Sequence, residues 1–360
     1  MDKEYNKGKE NKLFQIMTFD GGGIRGALVA ALLRRLKGDF KDLLNNVDLF
    51  AGTSTGSAIA LSLANKKSPE DLTALYSTKE MKFVFGKSRW NFLRPKHSND
   101  NLRSLLERNF PDIRDGSGTR KLMLSDLPKK VLVTSFKLDN KRTRNWNPVF
   151  FHNYDNNEDT RLEPSSTEPV VDVALRSAAA PTIFPSHQGY IDGGMMANNP
   201  STAAIAVALR NNPGLKIENI RLLSFGTGYT PTLVKSDTKN WGVLQWLLNP
   251  FNQPPTPLLT ILFDGVVQAD DYMSREILGK ERYHRVDLEL MEQTACDDWR
   301  QVENLIKLAL TKDPRTEKLM EETINWLKQN WYDEPREIST TPSARRHHPE
   351  FKESSKAATN

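Results

Sequence analysis

The pentapeptide Gly52-Thr53-Ser54-Thr55-Gly56 stands between an apolar run, Val47 to Ala51, and a helix-forming stretch, Ser57-Ala58-Ile59-Ala60-Leu61. That setting limits the local fold to a sharp strand-to-helix turn, in which two glycines relieve crowding around a serine held out from the end of a sheet. A serine so placed sits at a helix N-terminus, where free backbone N–H groups and the helix dipole favour developing negative charge. Ser54 is therefore a candidate nucleophile. Gly, Ser and Thr are also ordinary turn residues, so the assignment depends on what the rest of the chain brings to this point.

A second unit of the same kind precedes it. Leu13 to Phe19 reads as a buried strand and runs directly into Asp20-Gly21-Gly22-Gly23-Ile24-Arg25-Gly26, after which Ala27 to Leu36 has a helical pattern that ends near Gly38. Ser68-Pro69-Glu70-Asp71 reads as a capped helix start. Strand signals recur at 130–136, 148–151, 220–225 and 283–288, with helical patterns between several of them. This alternation predicts an α/β protein with a central, mostly parallel sheet flanked by helices. Apolar residues at helical spacing over 302–310 and 320–331 predict two closing amphipathic helices. The expected organisation is a flexible N-terminus over 1–12, one domain over 13–333 and a disordered tail over 334–360, which is rich in Ser, Thr, Pro and charge.

Composition sets the outer limits. At 38% hydrophobic and 26% charged the chain can bury an ordinary globular core. No apolar run approaches the roughly 18 residues that span a bilayer, and the charged start Met1-Asp2-Lys3-Glu4-Tyr5 lacks a signal-peptide segment, which predicts a cytoplasmic protein. The single cysteine, Cys296, excludes an internal disulfide and a Cys-based metal cluster and reads as passive. No metal or other cofactor is expected. A net charge of +5 permits attraction to anionic lipid, but no paired zinc ligands or RNP signature point to a nucleic-acid polymer.

The glycine loop supports two readings. Gly21, Gly23 and Gly26 fit the dinucleotide fingerprint, and the chain could be a nucleotide-binding regulatory protein that uses Gly21 to Gly26 as a phosphate cradle. The acid this fingerprint expects, Asp48, stands near the start of its strand, and the end of that strand is Gly52-Thr53-Ser54. The other reading is an oxyanion hole of glycine N–H groups beside the nucleophile. Serine also needs a base. Among six histidines, His187 and His284 are open candidates; His97, His152, His347 and His348 stand in unpromising surroundings. A third stretch, Gly189-Tyr190-Ile191-Asp192-Gly193-Gly194, places a carboxylate in a glycine-bracketed turn.

Taken in order, Asp20 to Gly26, Gly52 to Gly56, Ser177-Ala178-Ala179-Ala180-Pro181-Thr182-Ile183-Phe184-Pro185, and Asp192-Gly193-Gly194 with Asn198-Asn199-Pro200 resemble the patatin-like phospholipases over about residues 13 to 230. The resemblance implies a three-layer α/β/α fold and phospholipase A-type cleavage of membrane phospholipid by a Ser54–Asp192 dyad, with no essential histidine. It places the oxyanion hole at Gly22 and Gly23, supported by Gly21, Arg25, Gly26, Gly52, Gly56, Gly193 and Gly194. Ser57 stands where many family members carry another glycine. Arg25 has three open roles: holding the loop, meeting a lipid phosphate, or packing. In size and opening motif the chain is also similar to bacterial anti-phage effectors of this family, which implies a cyclic-dinucleotide activator; a homo-oligomer is a further expectation.

Acting on bilayer lipid requires peripheral contact with the inner face of the membrane. Two stretches are candidates. Lys82 to Lys96 mixes aromatics with cations, although Phe83, Phe85 and Phe92 also read as core residues. Trp241 to Phe251 reads as a short apolar helix that could be a lid, a dimer contact or a lipid-facing element, with burial as the default for so apolar a helix.

Overall fold

Along each central strand, successive side chains belong to different hydrophobic cores, as a sheet covered on both faces requires. Ile16, Leu49, Ala51, Leu132, Ile220 and Leu222 pack on one face. Their neighbours Met17, Phe19, Phe50, Val131, Val133, Leu223 and Phe225 pack on the other. The computed structural model describes residues 12–89, 93–116, 118–140, 144–154, 165–234, 236–248 and 256–332. The tail expected over 334–360, the N-terminal residues before 12, Phe92, and Asn249 to Phe251 lie outside the described residues.

In chain order the strands are β1 (Phe14–Phe19), β2 (Leu49–Thr53), β3 (Ile113–Asp115), β4 (Gly118–Arg120), β5 (Lys130–Asn140), β6 (Asn145–His152), β7 (Tyr190–Asp192), β8 (Ile220–Phe225) and β9 (Tyr283–Val286). The helices are α1 (Gly26–Asp39), α2 (Thr55–Ala64), α3 (Pro69–Leu75), α4 (Thr78–Phe85), α5 (Asp100–Asn109), α6 (Val170–Ser177), α7 (Gly194–Ala197), α8 (Ser201–Asn211), α9 (Val243–Leu247), α10 (Pro257–Leu278), α11 (Val302–Leu310) and α12 (Pro314–Trp326). The main sheet runs β6-β5-β2-β1-β8-β9, with β7 paired to β5, and β3-β4 form a separate hairpin. Pairings among β5, β2, β1, β8 and β9 are parallel, whereas β6 and β7 run antiparallel to β5. The three-layer α/β/α architecture with a mostly parallel sheet is as expected from the sequence.

Helix α1 is apolar on nearly all sides because it is enclosed: Ala27 through Leu33 and Leu36 are all buried. The helix start read at Ser68 is real, with a capping box in which Ser68 accepts from the Asp71 amide and Asp71 accepts from the Ser68 amide. The other face is covered by α8, through Ala204, Ile205 and Ala208, and by Leu278 at the end of α10.

Two expectations need correction. The Asp192 stretch is not only a turn: Tyr190–Asp192 is a strand whose short length hid it. The apolar stretch from Trp241 contains helix α9, which has no buried residue at all. In the Lys82–Lys96 stretch, Val84 and Phe85 are core residues, while Phe83 is exposed beneath the Arg108 guanidinium.

Candidate active site

Strand register brings Ser54 and Asp192 together. One edge of β5 pairs with β2 as far as Thr53 opposite Thr134. The next position, Ser135, pairs with Asp192, the last residue of β7. β6 occupies the other edge of β5 over those same residues, so β7 continues the edge that β2 leaves. The strands therefore meet end to end, and the residue after Thr53 is Ser54.

The turn at Ser54 is strained and tightly held. Its φ is 54° and ψ −120°, a conformation that costs a non-glycine residue about 1–3 kcal/mol. Close packing around it demands the flanking glycines: a Cβ at Gly52 would overlap the Gly56 carbonyl, and one at Gly56 would overlap the Phe19 carbonyl at the end of β1. The Ser54 amide donates to Ser177 Oγ at 2.8 Å. Beneath it, Thr53 Oγ1 donates to the Ala197 carbonyl at 2.6 Å and contacts Thr134 Oγ1 at 2.7 Å. Ser57, in the place of a glycine, donates its hydroxyl back to the Ser54 carbonyl at 2.5 Å.

Asp192 is buried, its Oδ1 accepts from the Gly194 amide at 2.7 Å, and the neighbouring Ser54 hydroxyl favours its ionised form. Burial pushes its pKa up from 3.8 to about 6, against the opposing pull of the Ser54 hydroxyl and the Gly194 amide. The Asp192 amide donates to the Ala179 carbonyl at 3.0 Å, and Gly193 packs on Thr134 too closely to admit a Cβ.

The glycine loop lies across from this pair. The Gly21 amide donates to the Asn198 carbonyl at 3.1 Å and the Ile24 amide to the Cys296 carbonyl at 2.8 Å. Between them, the Gly22 and Gly23 amides have no acceptor among the described residues, and both residues border the cavity that holds Ser54 and Asp192. Gly23 has a φ of +59°, and a Cβ there would strike the Cys296 carbonyl. Gly26 opens α1 directly against the Tyr76 ring. Arg25, which also lines the cavity, braces the loop, donating from Nε to the Gly22 carbonyl at 3.3 Å and from Nη1 to the Gly228 carbonyl at 2.9 Å.

Below the loop, Arg285 of β9 donates to Asp20 Oδ2 at 2.6 Å, to Asp287 Oδ2 at 2.8 Å and to Ser224 Oγ at 3.0 Å. This buried cluster ties the residue before the glycines to the β8–β9 side of the sheet. Neither Arg285 nor the supporting role of Ser177 is evident in the sequence, since their partners are 265 and 123 residues away. Cys296 is not a bystander either, because its backbone carries the loop.

The open histidine candidates stand elsewhere. His187 Nε2 lies 2.9 Å from Asp172 Oδ1. His284 stacks on Trp326 and contacts Thr323 Oγ1 at 2.9 Å, and burial pushes its pKa down to about 4. Neither borders the cavity. Asp48 is at the wrong end of the sheet for a ribose ligand, where its Oδ2 accepts from the Gln15 amide at 2.8 Å.

The cavity measures about 1260 Å³. One wall is apolar, with Met81, Val84 and Phe85 of α4 and Leu102, Leu105 and Leu106 of α5. Another comes from α10, through Thr260, Phe263, Asp264 and Val267, and Tyr229 and Leu233 line its exposed rim.

Residues 17–205 match the family model described as patatin-like phospholipase. The chain belongs to the patatin-like phospholipase family. By class it is a lipid hydrolase. This patatin-like chain is 34% identical over 297 residues to the sporulation hydrolase CotR of Bacillus subtilis, an alignment covering 76% of this chain and 87% of CotR. It is 33% identical over 287 residues to protein teg of Priestia megaterium, covering 74% of this chain and 86% of that protein. Among solved structures it is similar to VipD from Legionella pneumophila, with a TM-score of 0.38 and 14% identity over 87% of this chain and 67% of that one.

Proposed function

We propose that this patatin-like protein is a phospholipase A-type acyl hydrolase in which Ser54 is the nucleophile and Asp192 its general base. The observation that carries the reading is the buried Asp192 carboxylate brought by strand register beside a strained Ser54, both bordering one cavity. In this mechanism Ser54 Oγ attacks the ester carbonyl as its proton passes to Asp192. The free amides of Gly22 and Gly23 take the developing oxyanion, a contribution worth about 10²–10³-fold in rate per donor. Asp192 then returns the proton to the leaving alcohol, and a water activated by the same carboxylate cleaves the acyl-enzyme. A base with a pKa near 6 is ionised at neutral pH and stronger than an ordinary carboxylate.

The apolar wall of α4 and α5 suits an acyl chain, which supports membrane phospholipid as the substrate. The glycine-loop amides serve the hydrolase reading better than a phosphate cradle, because the loop borders the same cavity as Ser54 and Asp192, and Asp48 stands at the far end of the sheet. The test is release of fatty acid from phosphatidylcholine vesicles by wild type, Ser54→Ala and Asp192→Asn, each checked for folding. Loss in both variants is expected; wild-type rates in either would overturn the assignment. Activation by a cyclic dinucleotide in anti-phage defence is the part of the proposal that rests on the resemblance alone. A cyclic-dinucleotide panel in the same assay tests it, and a rate moved by none of them removes it.

A further inference from the structure

Helix α10 buries polar groups as well as the apolar Leu278, and exposes several large apolar side chains. Its inward side buries Asp270 and Ser274, with Asp270 Oδ1 accepting from the Thr202 amide at 2.8 Å and from Thr202 Oγ1 at 2.9 Å at the start of α8. Its outward side exposes Ile261, Leu262, Tyr272 and Met273. Burial of apolar groups normally gives the reverse arrangement. Helix α9 packs against α10 and extends the apolar surface, with Val243 and Leu244 73% and 75% exposed. Scattered apolar residues need no explanation, but a continuous patch marks a contact surface.

We infer that α9 and the outer side of the N-terminal half of α10 seat on the phospholipid bilayer and deliver lipid to the cavity beside them. The inference rests on the reading of the substrate as membrane phospholipid. Three observations favour a lipid surface over a protein partner. Helix α10 is itself a cavity wall, and the exposed residues Tyr229 and Leu233 place the cavity's rim on this side of the molecule. A bilayer against the patch therefore sets substrate at the entrance, whereas a second copy of the chain would stand across it. Charge is also sparse here: among the described residues, 241–248 and 256–263 hold no Asp, Glu, Lys or Arg, in a chain where those residues make up 26%, and exposed Asp264 is the first charge beyond them. Insertion into hydrocarbon requires that absence, while a protein interface does not. Finally, Trp241 and Trp246 pack edge to face at 5.1 Å beside the exposed leucines, and tryptophan is the side chain that seats at the headgroup level.

The experiment is cosedimentation of the full chain with phosphatidylcholine vesicles, whose zwitterionic surface removes long-range charge attraction. Wild type and Ser54→Ala are expected to bind alike. The double variants Leu244→Glu/Leu247→Glu and Ile261→Glu/Leu262→Glu are expected to lose at least about tenfold in vesicle affinity, because leucine and isoleucine side chains no longer enter hydrocarbon. All four positions are solvent-exposed, so folding is preserved, and hydrolysis of a soluble short-chain ester should stay at the wild-type rate. Vesicle binding by the variants equal to wild type would overturn the inference. So would a wild-type dimer in analytical ultracentrifugation that these variants split, which would assign the face to a second copy. Failure of the functional reading looks different: wild type would bind vesicles through this face yet release no fatty acid.

Discussion

Replacing Asp192 by Asn separates the energetic cost of the base from its use. Asp192 has a folded-state pKa of about 6 against 3.8, raised by burial. The folded state therefore holds the proton more tightly than the unfolded chain does, and stability falls as pH rises from about 4 through about 6. The interval corresponds to roughly 3 kcal/mol, fully expressed once the carboxyl is ionised in both states. Asn keeps the shape and retains an oxygen for the Gly194 amide, but has nothing to ionise. Asp192→Asn should thus match wild type in stability near pH 4 and exceed it by up to about 3 kcal/mol at pH 8. Urea denaturation of both proteins across this range, read as the difference between them, cancels every other titrating group. On the plateau at pH 7–8 the variant should lose about 10²–10⁴-fold in ester hydrolysis. A stability difference that stays flat with pH, or that makes the variant weaker at pH 8, would refute the claim that Asp192 is a desolvated base.

Four other outcomes follow from the same geometry. Wild-type kcat/KM should be on a plateau above pH about 6 and fall about tenfold per pH unit below it, as Asp192 takes up its proton; a pH–rate profile with soluble ester checks this. Ser54→Gly should be inactive yet more thermally stable than Ser54→Ala by about 1–3 kcal/mol, because glycine adopts φ 54° without strain. Arg285→Met should destabilise the fold by about 3–5 kcal/mol in chemical denaturation, since it leaves Asp20 and Asp287 without their buried partner. His187→Gln and His284→Gln should leave soluble-ester rates near wild type, because neither ring borders the cavity; a collapse like that of Ser54→Ala in either variant would install a histidine base instead.

What the sequence discloses and what it hides divides by the range of the interaction that decides each feature. The elbow around Ser54 is legible because its requirements are local: a strand, two glycines where backbones pass in contact, and a helix to follow. The strands at 14–19 and 220–225 are legible because each is almost wholly buried and so reads as a mostly apolar run. β7 is not, since three residues carry no periodicity and their placement depends on β2 ending where Thr53 meets Thr134 on β5. Helix α10 escapes for the opposite reason. It is long, but Asp270 and Ser274 are buried while Ile261, Leu262, Tyr272 and Met273 are exposed, so a rule that equates apolar with buried misreads it, as it does α9.

Departures from local rules gather at the proposed site and the proposed lipid face for a physical reason. A sequence agrees with its fold at every level only where stability alone selects each residue. Ser54 departs from that in backbone conformation, Asp192 in burying an ionisable group, and the outer face of α10 in exposing apolar surface. The first two sit side by side and each costs on the order of 1–3 kcal/mol, against a total stability of about 5–15 kcal/mol for a folded chain. They persist because bonds from distant elements hold them: Ser177 to the Ser54 amide, Ala179 to the Asp192 amide, and Arg285 to Asp20 behind the glycine loop. Weakening one of those anchors should therefore lower activity before it unfolds the protein. Ser177→Ala, which removes only the acceptor of the Ser54 amide, is the direct case. It is expected to cut the rate of soluble-ester hydrolysis while lowering the unfolding free energy measured in urea by no more than about 1–3 kcal/mol. Equal rates in Ser177→Ala and wild type would mean that the turn holds itself and that the anchors serve only the fold.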